Sequence, residues 1–578
     1  MANASESDPV EEGGEAMSKV ERIKSASNHL RGSIASELGA PEQPFTEDSA
    51  QLLKFHGVYQ QDDRDRRREA RARGLDKHWQ MMIRTRIPGG LVSPEGYLAH
   101  DQIADRWGNG TIRVTTRQAI QLHGILKGDL RSTIRALSTA LMTSLGGCGD
   151  QERNLLCCPA PEGGRFRDEV KTFLDQLVGQ LSARTGAYHE IWIDGELADG
   201  GIPAGEEEPL YGETYLPRKF KTAIAIEGDN CVDVYSNDLG LVVMRGPEGG
   251  LAGVNLLVGG GLGRTANKPD TFPTVALPMA FVAPEHAVAA ARAVVTVQRD
   301  FGDRVNRRHA RLKYLIHDRG IAWFRDRVQE RLDFKLLAAR PLTWTPVDDH
   351  LGWHRQANGR LYHGLFIENG RIKDEGDFRL RTALRLLVER HRPTLYLTAQ
   401  QNVILAGLEA SAREPIERLL KEHGVPLSGE ISNTVRHSMG CPAYPTCGLA
   451  VAESERALPG LIRRIEAIVA ELGLADERIS YRMTGCPNGC ARPYLGDVGF
   501  VGTTLGKYDV FLGGDFDGTR LNELYAHNVA LEEIPALLRG PLAAFADERQ
   551  PGEGFGEWCH RVGVTGVQQR FREEVKAG

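Results

Sequence analysis

Cysteine is scarce in this chain, and long apolar runs are missing from it. Nine of the 578 residues are cysteine, and this odd number argues against an extracellular disulfide framework. No uninterrupted apolar stretch approaches the roughly 18–20 residues that a membrane-spanning helix needs. Residues 1–17 (MANASESDPVEEGGEAM) are acidic and lack an apolar core, so they fit neither a secretory signal nor an arginine-rich transit peptide. We expect a cytoplasmic protein without a membrane partner.

The chain also lacks a large excess of charge of one sign. Its 71 Lys and Arg residues nearly balance 77 Asp and Glu residues, which leaves a formal net charge of −6. This balance gives no reason to expect a nucleic acid as a partner. A content of 41% hydrophobic and 26% charged residues is typical of a globular protein and excludes a disordered chain or a collagen-like fibre.

Two hydrophobic periodicities alternate along the chain and predict a mixed α/β fold. Apolar and β-branched residues that alternate or run together predict strands. These segments are 111–116, 190–193, 222–227 and 254–258. Apolar residues at three-to-four spacing predict helices. These segments are 130–145, 285–299, 378–391, 412–423 and 458–472.

Internal repeats at a constant offset predict a duplicated architecture. Residues 111–124 (TIRVTTRQAIQLHG) match residues 394–407 (TLYLTAQQNVILAG), and residues 153–160 (RNLLCCPA) match residues 436–443 (RHSMGCPA), both 283 positions apart. At a slightly smaller offset, residues 238–242 (DLGLV) match residues 497–501 (DVGFV). Two similar halves related by a pseudo-twofold axis create a cleft, which is a natural place for a large cofactor.

Four of the nine cysteines fall within fifty residues of the second half. Their spacing is C-x5-C for Cys441 and Cys447 and C-x3-C for Cys486 and Cys490, on turns rich in proline and glycine. This pattern favours a cubane iron–sulfur cluster. The five-residue gap is longer than the knuckles of most structural zinc sites, so zinc and buried structural cysteines are the alternatives. In the first half, only Cys158 stands where the second half has Cys441, and we interpret it with Cys157 as a pair of buried free thiols.

The sequence around these cysteines resembles a known family. Residues 439–456 (MGCPAYPTCGLAVAESER) and 482–502 (RMTGCPNGCARPYLGDVGFVG) look like the signature of sulfite reductase hemoproteins, in the nitrite/sulfite reductase family that carries sirohaem and a 4Fe–4S cluster. The resemblance extends over residues 21–575 and includes the stretches 27–32 (SNHLRG), 86–90 (RIPGG), 215–223 (YLPRKFKTA) and 552–558 (GEGFGEW). In that family the four cysteines bind the cluster, and the last is also the axial ligand of the sirohaem iron.

The resemblance implies an α+β fold with an internally duplicated, pseudo-twofold arrangement. Each half would combine a ferredoxin-like subdomain with a larger α/β subdomain that binds sirohaem and the cluster. The expected segments are an N-terminal arm and partner interface (1–75), a first ferredoxin-like half (76–146), a first sirohaem-domain half with substrate and cofactor cations (147–340), a second ferredoxin-like half (341–428) and a second sirohaem-domain half with the cluster (429–578).

The resemblance also assigns residues to the site. Cys441, Cys447, Cys486 and Cys490 would hold the 4Fe–4S cluster, and Cys490 would bridge it to sirohaem. The substrate would be sulfite, a small oxyanion that needs cations to bind it and to deliver protons. By resemblance these cations are Arg84, Arg153, Lys219 and Lys221. If RKFKT is a strand, the two lysines point to one face, and their like charges would lower each other's pKa.

Sirohaem is a polycarboxylate, so its pocket requires hydrogen-bond donors. Arg113 and Arg117 would share one face of a strand, Gln121 and His123 would continue that face, and Arg311 and Lys313 are further carry-overs from the family. His123 is included as a cofactor contact, while the family pattern assigns axial ligation to Cys490.

The expected activity is the six-electron reduction of sulfite to sulfide, in sulfate assimilation and cysteine biosynthesis. Nitrite reduction to ammonia is the alternative within the same chemistry, and an electron carrier without its own catalysis is the alternative of another class. A convincing G-x-G-x-x-G motif after a strand is missing, so electrons would come from a partner protein. We expect an NADPH-oxidising flavoprotein subunit, with ferredoxin as the alternative. The basic segment 62–74 (DDRDRRREARARG) is either a solvated helix face or a docking surface for an acidic donor.

Overall fold

The computed structural model describes residues 17–41, 44–184, 191–193, 196–199, 208–345 and 348–571. Most of the acidic N-terminal arm and of the acidic loop at 199–208 lies outside the described residues. The strands are β1 (Val58–Asp62), β2 (Trp79–Arg84), β3 (Leu91–Val92), β4 (Ile112–Val114), β5 (Ile120–Ile125), β6 (Leu156–Cys157), β7 (Ile191–Ile193), β8 (Glu196–Asp199), β9 (Thr222–Ile226), β10 (Leu239–Arg245), β11 (Leu251–Val258), β12 (Leu277–Val282), β13 (Gly352–Arg355), β14 (Leu361–Leu365), β15 (Arg371–Ile372), β16 (Asp374–Glu375), β17 (Phe378–Arg379), β18 (Thr394–Leu397), β19 (Val403–Leu408), β20 (Ser438–Gly440), β21 (Tyr481–Thr484), β22 (Val498–Thr504), β23 (Lys507–Leu512) and β24 (Glu523–Ala530). The α-helices are α1 (Lys19–Ser25), α2 (Ile34–Gly39), α3 (Glu47–Leu53), α4 (Arg67–Ala72), α5 (Pro94–Arg106), α6 (Leu130–Thr139), α7 (Arg165–Leu181), α8 (Pro284–Phe301), α9 (Leu312–Arg319), α10 (Ile321–Gln329), α11 (Leu380–His391), α12 (Arg413–Glu422), α13 (Asn433–Arg436), α14 (Leu458–Glu471), α15 (Ile534–Glu548), α16 (Phe555–Val562) and α17 (Val564–Arg570).

Two five-stranded sheets have the same topology and confirm the duplication. Their strand orders are β12-β11-β10-β9-β6 and β24-β23-β22-β21-β20. In each sheet the last three strands are parallel to one another and the first three form antiparallel pairs. The bounds of β10 and β22 differ by 259 positions at both ends, which is the smaller offset found in the sequence.

Two further five-stranded sheets form the ferredoxin-like halves and exchange their edge strands. Their orders are β1-β2-β5-β4-β15 and β13-β14-β19-β18-β3. The second-half strand β15 pairs with β4, and the first-half strand β3 pairs with β18. Strands β5 and β19 lie 283 positions apart at both ends. Each half therefore completes the sheet of the other half.

The hydrophobic cores follow the same division. One core joins buried residues of both ferredoxin-like halves, from Phe45 to Leu137 and from Leu365 to Val425. A second core fills the first larger subdomain around β9, β10 and β11, and a third fills the corresponding part of the second half. Burial of this apolar surface is the main stabilising term, so the shared core ties the two halves together.

Most predicted elements are confirmed, with differences at their ends. The helix predicted at 130–145 stops at Thr139, because Leu141 adopts a left-handed conformation (φ +57°) and the amides of Leu141 and Met142 bond back to Ser138 and Leu137. This is a Schellman-type ending without glycine. The charge run at 62–74 forms a helix only over α4. No helix in the described part of the chain combines the length and hydropathy needed to cross a bilayer.

The prediction that Arg113 and Arg117 share one face of a strand, which Gln121 and His123 continue, is wrong for Arg117. The segment folds into the hairpin β4–β5, with Arg113 opposite Gln121, because the chain turns at residues 115–119. Arg117 therefore lies in the turn rather than on the strand face. Arg113, Gln121 and His123 still share one face, because directly opposed residues of an antiparallel pair, and residues two apart on a strand, point the same way.

Candidate active site

The four clustered cysteines lie at the ends of two parallel neighbouring strands. Cys441 directly follows β20, and Cys486 and Cys490 follow β21, so both loops leave the sheet at the same edge. The amides of Val451 and Ala452 donate to the carbonyl oxygen of Gly485 at 2.8 and 3.0 Å and join the two loops. A Cβ atom at position 485 would lie 2.4 Å from the Ala452 carbonyl oxygen, so this close approach requires glycine.

The four thiols interact with one another electrostatically. Burial, and then the neighbouring Cys490 and Cys486, raise the pKa of Cys441 well above its usual range. Burial and Cys490 likewise raise the pKa of Cys486 to about 12. The pKa of Cys447 is raised by burial and by Cys490. Positive charge from bound metal would remove this mutual repulsion, because a coordinated thiol is deprotonated outright.

The spacing of these thiols along the chain, C-x5-C and C-x3-C, favours an iron–sulfur cluster over a single zinc ion, whose structural sites use shorter gaps between cysteines.

Cys490 differs from the other three cysteines by its exposure. Cys441 and Cys486 are buried and Cys447 is partly buried, whereas Cys490 is exposed. Its thiol interacts electrostatically with Lys219, Lys221 and Arg113. Cys490 is therefore the thiol that connects the cysteine group to a set of cations in the first half.

The predicted substrate cations converge on the same space. Arg84 ends β2, and its guanidinium lies over the ring of Tyr59, with 5.4 Å from Cζ to the ring centroid. Arg153 precedes β6, and its Nε donates to the Gly149 carbonyl oxygen at 3.1 Å. Lys219 and Lys221 are partly buried and flank the buried Phe220, directly before β9 begins at Thr222. In the described part of the protein, neither ammonium group has a hydrogen-bond partner.

The electrostatics of the two lysines follow from this crowding. Burial, and then the cations Arg153 and Arg311, lower the pKa of Lys219 to about 7. Burial, Arg117 and Lys219 lower the pKa of Lys221 well below its usual range. A lysine whose pKa lies near neutrality can both donate and regain a proton at working pH.

The predicted sirohaem-contacting residues divide into two groups. Arg113 and Arg311 are held by carboxylates: Arg113 pairs with Glu455, and Arg311 pairs with Asp238 at 2.7 Å. Lys313 donates to three backbone carbonyl groups, among them Gly263 at 2.8 Å. Burial is the main cause that lowers its pKa to about 6.

The second group retains buried polar atoms without partners. Arg117 donates from Nη1 to Asn237 at 2.8 Å, but its Nε has no partner. Both ring nitrogens of His123 are buried without a partner. Burial, Arg371 and Arg113 lower the pKa of His123 well below its usual value, so the ring is neutral. Orphaned buried donors beside two unpartnered lysines fit a pocket that accepts a polycarboxylate.

Sequence reasoning missed three residues of the site. Glu455 binds both Arg113 and Arg371, and no sequence pattern links it to them. The hydroxyl of Tyr59 contacts the Sγ atom of Cys148. Although burial acts in the opposite direction, Arg153 and Arg84 lower the pKa of the Cys148 thiol.

The chain is similar to known reductases over nearly its whole length. The family model described as a nitrite and sulphite reductase 4Fe-4S domain matches residues 179–336, and the one described as a nitrite/sulfite reductase ferredoxin-like half domain matches residues 76–140 and 354–423. The Synechococcus elongatus protein named sulfite reductase (ferredoxin) is 45% identical, over 96% of this chain and 90% of its own. The proteins of Paenibacillus sp. and Geobacillus kaustophilus named sulfite reductase (NADPH) hemoprotein beta-component are 43% and 44% identical, over 96% and 95% of this chain and 97% and 96% of their own.

The fold is similar to a solved structure of the same kind. The Mycobacterium tuberculosis NirA protein superimposes with a TM-score of 0.75 at 25% identity, over 95% of this chain and 97% of its own. The two matches to a ferredoxin-like half domain agree with the duplicated sheets. A 4Fe–4S cluster and sirohaem are the cofactors of this family, and the four thiols, the orphaned donors and the unpartnered lysines fit them. The chain belongs to the nitrite and sulfite reductase family and is a sulfite reductase of the hemoprotein type.

Proposed function

We propose that this protein reduces sulfite to sulfide with six electrons, in sulfate assimilation and cysteine biosynthesis. We further propose that the Cys490 thiolate is shared between the 4Fe–4S cluster and the sirohaem iron. The observation that carries both proposals is the position of Cys490. It is the exposed member of the four-thiol group, and its thiol interacts electrostatically with Lys219 and Lys221.

The cations of the first half supply what a small oxyanion needs. Lys221, Arg153 and Arg84 provide positive charge that binds sulfite and opposes its release before reduction is complete. Lys219 holds a proton at Nζ and, with a pKa of about 7, passes it to substrate oxygen as each water leaves. When bound, the sirohaem iron and the cluster supply the substrate-binding metal and the route for the six electrons.

We propose that donors of the first half hold the carboxylates of the macrocycle, and the orphaned donors support this proposal. Arg117 Nε and the His123 ring are placed to meet them, and Arg113 and Arg311 line the same space while already paired with carboxylates. Lys313 is occupied by backbone carbonyl groups and acts by holding the loop after β11 in place. Cys441, Cys447 and Cys486 complete the cluster ligands.

Competing turnover of sulfite and nitrite tests this assignment. With dithionite-reduced methyl viologen as the donor, we expect sulfide as the product and a higher kcat/KM for sulfite than for nitrite. A kcat/KM that favours nitrite would make the protein a nitrite reductase. If protein with a complete 4Fe–4S cluster showed no sirohaem absorption and reduced neither anion, it would be an electron carrier instead.

A surface beside the cluster is suited to an electron-donor protein. Arg64 donates to the carbonyl oxygens of Cys447 and Ala450 at 3.1 and 2.6 Å, so the basic segment is attached to a cluster loop. On the same loop Leu449 and Val451 are 71% and 44% exposed. Exposed apolar residues rimmed by arginines suit an acidic partner.

The donor we propose is an NADPH-oxidising flavoprotein subunit, and ferredoxin is the alternative. Names of both kinds occur among the relatives. Reconstitution with each donor separates them, because efficient sulfide production with ferredoxin alone would overturn our choice.

A further inference from the structure

A second group of metal-ligating side chains lies in the first half, apart from the four clustered cysteines. It consists of Cys158, Asp229, Cys231 and His350, whose ligand atoms all lie within 4.8 Å of one another. Cys158 Sγ is 3.0 Å from Asp229 Oδ2 and 3.9 Å from His350 Nε2, and Nε2 is 3.2 Å from the same Oδ2. Ligand atoms around one tetrahedral zinc ion would be about 3.4–3.8 Å apart. The group has the dimensions of a single-ion site.

The internal symmetry relates this group to the cluster. Cys158 stands 283 positions before Cys441, which is the offset that also relates β5 to β19. Cys231 stands 259 positions before Cys490, which is the offset that relates β10 to β22. The first half therefore keeps thiols at the places that correspond to two of the cluster ligands.

The other two cluster positions have no thiol in the first half. At these offsets Gly164 corresponds to Cys447, and Glu227 corresponds to Cys486. Four thiolates for a cubane are therefore not available there. Asp229, two residues before Cys231, and His350, from the segment that leads into β13, complete a set of four ligands of three kinds.

The surroundings suit a buried cation. Cys158 and Cys231 are 5% and 4% exposed, and the side chains of His350 and Asp229 are 11% and 15% exposed. Two thiolates and a carboxylate around a divalent ion leave one net negative charge, and Arg167 lies 3.8 Å from Cys158 Sγ to balance it. Buried ionisable groups in such a set are stabilised by a metal or by each other.

The backbone holds these ligands in place. Cys158 follows β6, and its amide donates to the Ile224 carbonyl oxygen of β9 at 3.0 Å. The Cys231 amide donates to Asp229 Oδ1 at 2.9 Å, which leaves Oδ2 free to face the site. Asp349 and His350 both adopt left-handed conformations (φ +51° and +57°), which non-glycine residues rarely do in succession.

We propose that Cys158, Asp229, Cys231 and His350 bind one Zn²⁺ ion, which joins the first sirohaem-domain half to the start of the second ferredoxin-like half. Two sulfur, one nitrogen and one oxygen ligand are within the range that zinc accepts, and a site closed by four protein ligands is structural rather than catalytic. The ion occupies the place in the first half that corresponds to the cluster in the second.

X-ray absorption at the zinc edge of the wild-type holoenzyme tests this proposal without any substitution. We expect one zinc per chain after dialysis, with about two sulfur ligands near 2.3 Å and two lighter ligands near 2.0–2.1 Å. A shell of four sulfur atoms would place zinc among the clustered cysteines and overturn the proposal. A shell of light atoms alone, or zinc-free protein from zinc-supplemented cells, would also overturn it.

Two variants and a matched control locate the ion. Cys231→Ser and His350→Ala should reduce the bound zinc at least tenfold while iron content and the absorption spectrum stay at wild-type values. Cys157→Ser, which changes the adjacent buried thiol, should keep the zinc. Retention of zinc in the first two variants, or a Cys158–Cys231 disulfide in peptides from unreduced holoenzyme, would contradict the proposal.

Discussion

At the scale of single residues, the site depends on cations that have no acceptor of their own. Lys219 and Lys221 lie half-buried on either side of Phe220, beside Arg153 and the Cys490 thiol. Unpartnered charges of one sign are unfavourable, because burial and mutual repulsion both oppose them. Binding of an anion relieves that repulsion, so stability is given up here for function.

Substitutions of Lys219 distinguish its two proposed roles, which are to bind sulfite by its positive charge and to donate a proton. The charged form of Lys219 exists below its pKa of about 7 and is lost as the pH rises. Wild-type kcat/KM for sulfite should therefore fall above about pH 7. Lys219→Arg keeps the charge but not a transferable proton, so we expect a nearly unchanged KM and a kcat lowered about 10²-fold.

Lys219→Met is the matched comparison, and it should also raise KM because the charge is lost. Both variants are assayed by sulfide release with reduced methyl viologen over a pH series. If kcat/KM of Lys219→Arg still fell above about pH 7 as in the wild type, a group other than Lys219 would be responsible for the pH dependence.

At the scale of elements, ion pairs to Glu455 from one strand of each half position a cluster loop. Arg113 on β4 and Arg371 on β15 both bind Glu455, and Arg113 also donates to the Gly440 carbonyl oxygen at 2.9 Å, directly before Cys441. The pair of strands from different halves thus holds the segment that carries Cys441 and leads towards α14. The loop geometry is fixed from outside its own sheet.

Glu455 should make stability depend on pH. Burial alone would raise the pKa of Glu455, but Arg113 and Arg371 outweigh it and lower the pKa to about 2. The contribution of Glu455 to the free energy of unfolding is therefore complete above about pH 4.5 and is lost as the pH falls towards 2. A pKa shift of this extent corresponds to a contribution on the order of 3 kcal/mol.

Thermal unfolding of wild type and Glu455→Gln between pH 3 and pH 7 measures this contribution. The difference in Tm should be largest near neutral pH and shrink at the acid end. A difference that does not change with pH would mean that the carboxylate's charge is not what stabilises the contact.

Helix α4 offers a second test at this scale. Arg68 and Arg71 are exposed on the helix that follows Arg64. Their replacement by glutamate should raise KM for a protein donor by about tenfold and make that KM less sensitive to salt, because the electrostatic attraction that salt screens is lost. Activity with reduced methyl viologen should remain unchanged.

Arg418→Glu on α12 is the control for surface charge in general. It changes an equally exposed arginine in the second ferredoxin-like half. A similar loss in this variant would indicate a non-specific effect of net charge rather than docking at α4.

At the scale of the whole molecule, the two halves are one folding unit. They share one core and exchange β3 and β15, so either half alone would expose a large apolar surface. We expect fragments 1–345 and 346–578 to be insoluble when expressed singly and to assemble when expressed together. Solubility and co-purification measure this, and a soluble, monomeric fragment would contradict it.

The repeat in the sequence predicts much of this architecture, because equal offsets reflect equal strands. Matches at 283 and 259 positions coincide with β5/β19 and β10/β22. The four-cysteine group was also predictable, because its ligands lie close in the sequence. Glu455 was not predictable, since its partners are hundreds of residues away and are brought to it by the exchanged strand β15.

The same limit explains the first-half site. Cys158 and Cys231 each stand at a position that corresponds to a cluster cysteine, but only the fold brings His350 to them. The sequence-based interpretation of Cys158 as a buried free thiol therefore did not include this group of ligands. The end of α6 was missed for a local reason, because a left-handed Leu141 ends a helix that the apolar pattern continues.

Mössbauer spectroscopy of ⁵⁷Fe-enriched, oxidised holoenzyme tests the shared Cys490 thiolate most directly. If one sulfur joins the cluster to the sirohaem iron, the paramagnetism of the haem iron spreads to the cluster, and all irons show magnetic splitting. A cluster that gives an isolated, non-magnetic quadrupole doublet beside a paramagnetic haem would contradict the shared ligand.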